Sequence, residues 1–166
     1  MIETLLRDLR QPEYVHTLLN PLPIYGLGIA LVGLVLALLM RSRGGQVTAL
    51  VLVLISAISV WPVVHYGERA EDNILAMADD DGRAWLDAHQ TRAEQLQYVF
   101  YLLAALSVAA IVAPRQWPKS ALPLAIAVVL LAVCSLGAGT SIAYAGGKIR
   151  HREFRTVPPP EKRGEP

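Results

Sequence analysis

Four long runs of apolar residues constrain this chain more than any other feature. They cover residues 22–40, 47–65, 98–113 and 121–145, and none of them contains Asp, Glu, Lys or Arg. A helix rises 1.5 Å per residue, so a run of about 19 residues extends about 28 Å, close to the thickness of the hydrocarbon core of a bilayer. We therefore predict an all-α membrane protein with four transmembrane helices in an up-down bundle.

Composition agrees with that class. Of the 166 residues, 54% are hydrophobic and only 17% are charged, which excludes an ordinary soluble domain and a disordered chain. The net charge of +1 is too small to indicate a nucleic-acid partner. The expected environment is the lipid bilayer.

The chain divides into three parts. Residues 1–20 carry leucines at helical spacing, which predicts either an amphipathic helix on the membrane surface or a frayed end with chance spacing. Residues 21–155 form the predicted four-span domain. Residues 156–166 are rich in proline and charge, which predicts a disordered tail.

The connections between the spans differ in length. The first and third, at residues 41–46 and 114–120, are short, so the spans that they join are neighbours. The second connection, at residues 66–97, keeps helical apolar spacing on both sides of a turn signal at residues 79–82 (DDDG). We predict that spans two and three extend beyond the membrane as an antiparallel helical hairpin.

Charge is distributed unevenly between the two ends of the predicted bundle. All 14 acidic residues and all four histidines fall on the side of the termini and the hairpin, while the other side carries Arg41, Arg43, Arg115 and Lys119. Counting positive charges in the short loops favours termini inside the cell.

Short motifs near the ends of the spans resemble those of a known family. Residues 67–72 (GERAED), 89–90 (HQ) and 93–94 (AE) resemble a G-E-x-A-E-E…H-E-x-A-E pattern. The pattern belongs to an uncharacterised family of bacterial four-helix membrane proteins, classed as a domain of unknown function, and some members of the wider family are fused to c-type cytochrome domains.

Two further stretches extend the resemblance over nearly the whole chain. Residues 16–24 (HTLLNPLPI) are similar to the family's opening H-P-L-x-V-H-F-P-I, and residues 146–151 (GGKIRH) to its closing G-G-x-L-x-x-H. Thr17 and Pro21 depart from the opening motif, and Pro21 replaces its second histidine. The resemblance implies a four-span bundle in the bacterial cytoplasmic membrane, with the termini and the hairpin in the periplasm, where c-type cytochrome domains lie.

The predicted hairpin contains one candidate metal site. If the turn centres near Asp81, antiparallel pairing sets His89 opposite Glu71 and Asp72, and Glu68 opposite Ala93 and Glu94. A histidine between carboxylates could bind a divalent metal or relay protons, so Glu68, Glu71 and His89 are candidate ligands. The alternative is an ion pair between the two helices that fixes their register.

The remaining histidines are candidate haem ligands. His16, His65 and His151 lie at the ends of spans one, two and four, on the same side of the bilayer. A b-type haem takes two axial imidazoles from facing helices, and His16 with His151 is the pair that the spacing favours. The alternative is histidines that contact headgroups at the membrane surface.

The sequence leaves two hypotheses for the function of the protein. The spans contain no ionisable Asp, Glu, Lys or Arg, which disfavours a transporter, and no enzyme motif is present. The first hypothesis is a non-catalytic accessory or structural subunit that docks onto a larger membrane complex, such as a redox complex, or onto copies of itself. The alternative is a small electron-transfer membrane protein with b-type haem or a metal near the outer surface.

Overall fold

The structure, a computed structural model, describes residues 2–160, which are mostly helical and contain no strand. Seven α-helices are present in this part of the chain. They are α1 (Ile2–Asp8), α2 (Pro12–Leu19), α3 (Leu27–Leu39), α4 (Arg43–Ile58), α5 (Val60–Met77), α6 (Asp80–Val112) and α7 (Ala121–Arg150).

These helices join into four long helical units. The units run Pro12–Leu39, Arg43–Met77, Asp80–Arg115 and Pro118–Arg150, and each is long and apolar enough to cross a membrane. The prediction of an all-α protein with four spans is confirmed. Each unit has 28 to 36 residues, more than the roughly 20 that a bilayer core requires, so every unit extends beyond the core.

The first unit begins ten residues earlier than its apolar run. A π-helical turn at Leu22–Gly26 joins α2 to α3. Pro21 and Pro23 lack the N–H that an α-helical turn would use, and the wider turn accommodates them without ending the helix. His16 therefore lies on a helix that continues into the membrane.

The second unit is interrupted near its middle. The helix breaks at Ser59, between α4 and α5, three residues before Pro62. The missing N–H and the ring of a proline disturb the turn that precedes it. The break sets the direction of α5, which carries Val63 and Gly67.

The core of the bundle is formed by α3, α4, α6 and α7. Leucines and a phenylalanine fill it, and alanines allow the helices to approach closely. Its fully buried members include Leu27, Leu34, Leu50, Phe100 and Leu103. Large apolar side chains such as Ile29 and Leu130 point outward, as expected where a helix faces lipid.

The parts of the helices beyond this core pair differently from the prediction. The turn between α5 and α6 lies at residues 78–79, earlier than the predicted 79–82, because Asp79 caps α6 by accepting from the Gly82 N–H at 2.9 Å and residues 80–82 are already helical. However, α5 packs on α2, and α6 packs on α7, while α5 and α6 contact each other only slightly. This end of the molecule, called here the terminal end, therefore consists of two helix pairs rather than one isolated hairpin.

The tail continues from α7 along this end. Residues 152–154 form a 3-10 turn, and most of residues 156–160 are exposed. Residues 161–166 of the predicted disordered tail lie outside the described residues.

Candidate functional site

His16 of α2 lies against the backbone of α5. Its Nδ1 is 2.8 Å from the carbonyl oxygen of Val63, and its ring covers Gly67, one helical turn further along. A Cβ atom at Gly67 would lie 3.0 Å from both Cε1 and Nδ1 of the ring. The close approach of this imidazole therefore depends on a residue without a side chain.

His89 of α6 makes the same contact with α7. Its Nδ1 is 2.9 Å from the carbonyl oxygen of Ile142, and its ring covers Gly146, again four residues after the carbonyl. A Cβ atom at Gly146 would also lie 3.0 Å from Cε1 and Nδ1. Each helix pair thus holds one imidazole in the same manner.

The two imidazoles meet between the helix pairs. The ring centres of His16 and His89 are 6.4 Å apart, and the ring planes are perpendicular. One histidine comes from the first helix pair and the other from the second. Residues 73 positions apart in the sequence are thereby placed side by side at the terminal end.

The hydrogen bonds determine which ring nitrogen is free. A carbonyl oxygen only accepts, so Nδ1 of each histidine carries the proton that it donates. In the neutral ring, Nε2 then keeps its lone pair, and neither Nε2 has a hydrogen-bond partner within residues 2–160. An N–H donated to a backbone carbonyl is also how metal-bound histidines are commonly oriented.

The two imidazoles are a small donor set. Their ring centres are 6.4 Å apart with perpendicular planes, which is an edge-to-face arrangement. Neutral imidazole nitrogens bind iron, copper and zinc, but a zinc or copper site usually takes three or four ligands from the protein. A metal held by His16 and His89 would therefore need further ligands from a cofactor or from solvent.

The other two predicted haem ligands lie elsewhere. The ring of His65 stacks on exposed Trp61 with the centres 5.7 Å apart. His151 is exposed and pairs with Glu153 at 2.9 Å. The structure therefore does not bring His151 to His16, because the chain turns outward at the end of α7.

The predicted contact of His89 with carboxylates is also not observed. His89 faces α7 and His16 instead of Glu71 and Asp72, because α6 packs on α7 rather than on α5. Within residues 2–160, no group of three His, Cys, Asp or Glu side chains could hold a metal, so Glu68, Glu71 and His89 are not assembled as a ligand set.

A charged contact closes the terminal end beside this site. Asp79 pairs with Arg155 and Arg152, each at 2.9 Å, and Arg155 also donates to the carbonyl oxygens of Lys148 and Ile149 at the end of α7. The hydrogen bond from Arg155, followed by that from the Gly82 N–H, lowers the pKa of Asp79 to about 2. This contact ties the second helix pair to the turn between α5 and α6.

The glycines are the part of the site that sequence reasoning missed. Gly67 and Gly146 stand in the motifs at residues 67–72 and 146–151, and the histidines in the motifs at 16–24 and 89–90. All four motifs therefore contribute to the pair of contacts. A comparison of the two halves of the chain would have revealed this signal. In each half, a histidine on the first helix of the pair is followed by a glycine on the second helix.

Comparisons of the chain with protein-family models, with curated proteins and with solved structures each gave no match.

Proposed function

We propose that this protein is a small electron-carrying membrane protein in which His16 and His89 bind one metal from opposite sides. The observation that carries the proposal is the neighbouring pair of imidazoles, whose ring centres are 6.4 Å apart and which are each held through Nδ1 to a helix carbonyl. Such hydrogen bonds fix the orientation of the ring and leave Nε2 for the metal. The two ligands belong to different helix pairs, so a bound metal would also join the halves of the molecule.

The iron of a b-type haem is the form of the metal that we favour. A b-type haem would be held by His16 of the first helix pair and His89 of the second. At this end α5 and α6 contact each other only slightly, while His16 and His89 lie side by side between the helix pairs. A bound haem would supply one-electron redox chemistry, and the protein would set its ligands and its exposure.

The membrane placement is part of the same proposal. The resemblance to a bacterial family, some members of which carry c-type cytochrome domains, supports a bacterial inner membrane with the terminal end in the periplasm. The basic short turns at residues 41–46 and 114–120 then face the cytoplasm. An impermeant thiol reagent tests this: in a Cys134→Ala background, a cysteine introduced at Asp80 should react in intact cells, and protection there would reverse the orientation.

An absorption spectrum of the detergent-purified protein from its native membrane, oxidised and then reduced, tests the function. We expect an intense Soret band that shifts on reduction, with one iron per chain by metal analysis on the same sample. A colourless protein with one copper or zinc per chain would retain the two-histidine centre and reject haem. A colourless, metal-free protein would reject the proposal.

A second candidate function, an accessory subunit that docks onto a larger complex, is favoured by the exposed acids of the terminal end. Glu68, Asp72, Asp80, Asp81 and Asp87 are exposed and form no ion pair within residues 2–160. Such a surface suits a partner with a basic face. Co-purification of a partner at low salt and its loss at high salt, together with a colourless spectrum, would favour this function.

A further inference from the structure

The short-turn end of the bundle, formed by residues 40–46 and 113–120, carries a second feature independent of the histidines. A shallow cavity of about 160 Å³, largely open to the surroundings, lies there between the beginning of α4 and the end of α6. Arg43, Val47, Ile111, Pro114 and Arg115 line it. One water needs roughly 10–15 Å³, so the space accommodates a group several times larger.

Two guanidinium groups border this cavity. Arg43 is half-buried and donates from Nη2 to the carbonyl oxygen of Ala110 at 3.0 Å, which holds its side chain across to α6. Arg115 donates from Nη1 to the carbonyl oxygen of Ile111 at 3.2 Å. A guanidinium has five N–H donors, so both groups keep donors for another acceptor.

Among residues 2–160, no carboxylate forms an ion pair with either of these arginines. In the sequence, the acids nearest to Arg43 are Glu13 and Glu68, and those nearest to Arg115 are Glu94 and Glu153. All four lie at the terminal end. Two arginines that border one cavity without an acidic partner repel each other until an anion joins them. The remaining walls are apolar, as in a site that also contacts hydrocarbon.

The depth of the cavity corresponds to the membrane surface. It lies where two spanning helices end, and exposed Trp117 stands in the same turn region, as tryptophans do at the level of lipid headgroups. Basic pockets between helices at this level are suited to anionic headgroups.

We propose that this cavity binds a phosphate group, supplied by the headgroup of an anionic lipid, through Arg43 and Arg115. The phosphate would accept from both guanidinium groups, and the acyl chains would lie along the apolar walls. The same chemistry would accept a free phosphate, so the experiment must separate the two sources.

Titration of the detergent-purified full chain with phosphatidylglycerol, followed by native mass spectrometry, tests the proposal. We expect the wild type to prefer phosphatidylglycerol over phosphatidylcholine. Arg43→Gln and Arg115→Gln should each weaken that binding about tenfold, as expected for loss of a charge-assisted contact. Lys119→Gln removes one positive charge from the same end without touching the cavity, and it should weaken binding less than about threefold.

Inorganic phosphate is the second probe in the same experiment. Binding of phosphatidylglycerol that millimolar phosphate does not displace supports a lipid source. Phosphate binding that depends on Arg115, without preference for the anionic lipid, supports the same site with a soluble ligand. Equal losses in all three variants, or no anion binding at all, would overturn the proposal. If Arg43→Gln fails to fold, Arg115→Gln still tests the proposal. The hydrogen bond of Arg115 goes to the carbonyl oxygen of Ile111, four residues earlier, so its loss does not separate two helices.

Discussion

The two halves of the molecule build the same histidine contact on different helices. In residues 12–77 the path is interrupted by the π-helical turn and by the break at Ser59. In residues 80–150, α6 and α7 are continuous over 33 and 30 residues. The comparison shows that the contact depends on a glycine opposite each histidine rather than on a particular helix geometry.

The halves also differ in what supports the contact. Beside His89, α6 and α7 share a small core of Trp85, Leu86, Ala145 and Ile149, and Lys148 is buried between the rings of Trp85 and Tyr144. Beside His16, α2 and α5 are joined by a further hydrogen bond, from Asn73 to Glu13, which is exposed. We therefore expect the second half to be the stiffer one.

The largest expected effect comes from adding a methyl group under each ring. Gly146→Ala should lower the free energy of unfolding by about 1–3 kcal/mol because a Cβ 3.0 Å from the ring is too close and stiff helices cannot move aside. Gly67→Ala should cost less, because the interrupted helices of the first half can shift. Thermal unfolding in detergent measures both.

Matched controls exist in each half. Gly137 on α7 and Gly28 on α3 have no atom within 4 Å of an added Cβ. Alanine at either position should leave stability unchanged or raise it, since alanine favours helix. A larger loss for Gly67→Ala than for Gly146→Ala would contradict the stiffness comparison.

A smaller effect is expected from the contact that anchors the second half. Asp79→Asn keeps an acceptor for the Gly82 N–H and removes the charge that pairs with Arg152 and Arg155. The melting temperature should fall by a few degrees at neutral pH. Asp80→Asn changes the same charge on an exposed neighbour and should have less effect.

The effect of Asp79 should also depend on pH. Its pKa falls from 3.8 to about 2 in the folded protein, so its contribution is fully present above pH 3.8 and is lost as the pH falls through 2. The melting temperatures of wild type and Asp79→Asn should therefore converge in strong acid. A difference that persists unchanged at pH 2 would show that the ion pair is not its source.

The smallest effect concerns the turn that closes the first half. Arg41 has a φ of 52°, a left-handed conformation that favours glycine. Arg41→Gly should raise the free energy of unfolding by about 1 kcal/mol. Arg41→Ala removes the same charge but keeps the Cβ, so an equal gain from both variants would assign the effect to charge instead of backbone conformation.

The sequence predicted the spans well because their signal is local. Length and the absence of charge identify a spanning helix without knowledge of its neighbours. The start of the first unit was missed because Pro21 and Pro23 signal the beginning of a helix, whereas a π-helical turn carries the chain through them.

The site was harder to predict because it depends on which helices pair. The spacing of Leu86, His89 and Ala93 indicated one face of α6 but not the partner of that face. The turn at residues 79–82 favoured α5, whereas the small and apolar residues of α7, Ala145, Gly146 and Ile149, receive it in the structure. From the sequence, His89 is predicted to lie opposite Glu71 and Asp72, whereas the structure places it against α7 and His16.

The number of metal ions bound per chain in four purified proteins shows whether His16 and His89 hold one metal together. These are the wild type, His16→Gln, His89→Gln and, as control, His65→Gln. Glutamine can still donate to the helix carbonyl but does not replace an imidazole as ligand. We predict one metal per chain in the wild type and in His65→Gln, and none in the other two. Retention of the metal in both His16→Gln and His89→Gln, or its absence from the wild type, would show that these two histidines do not hold a metal.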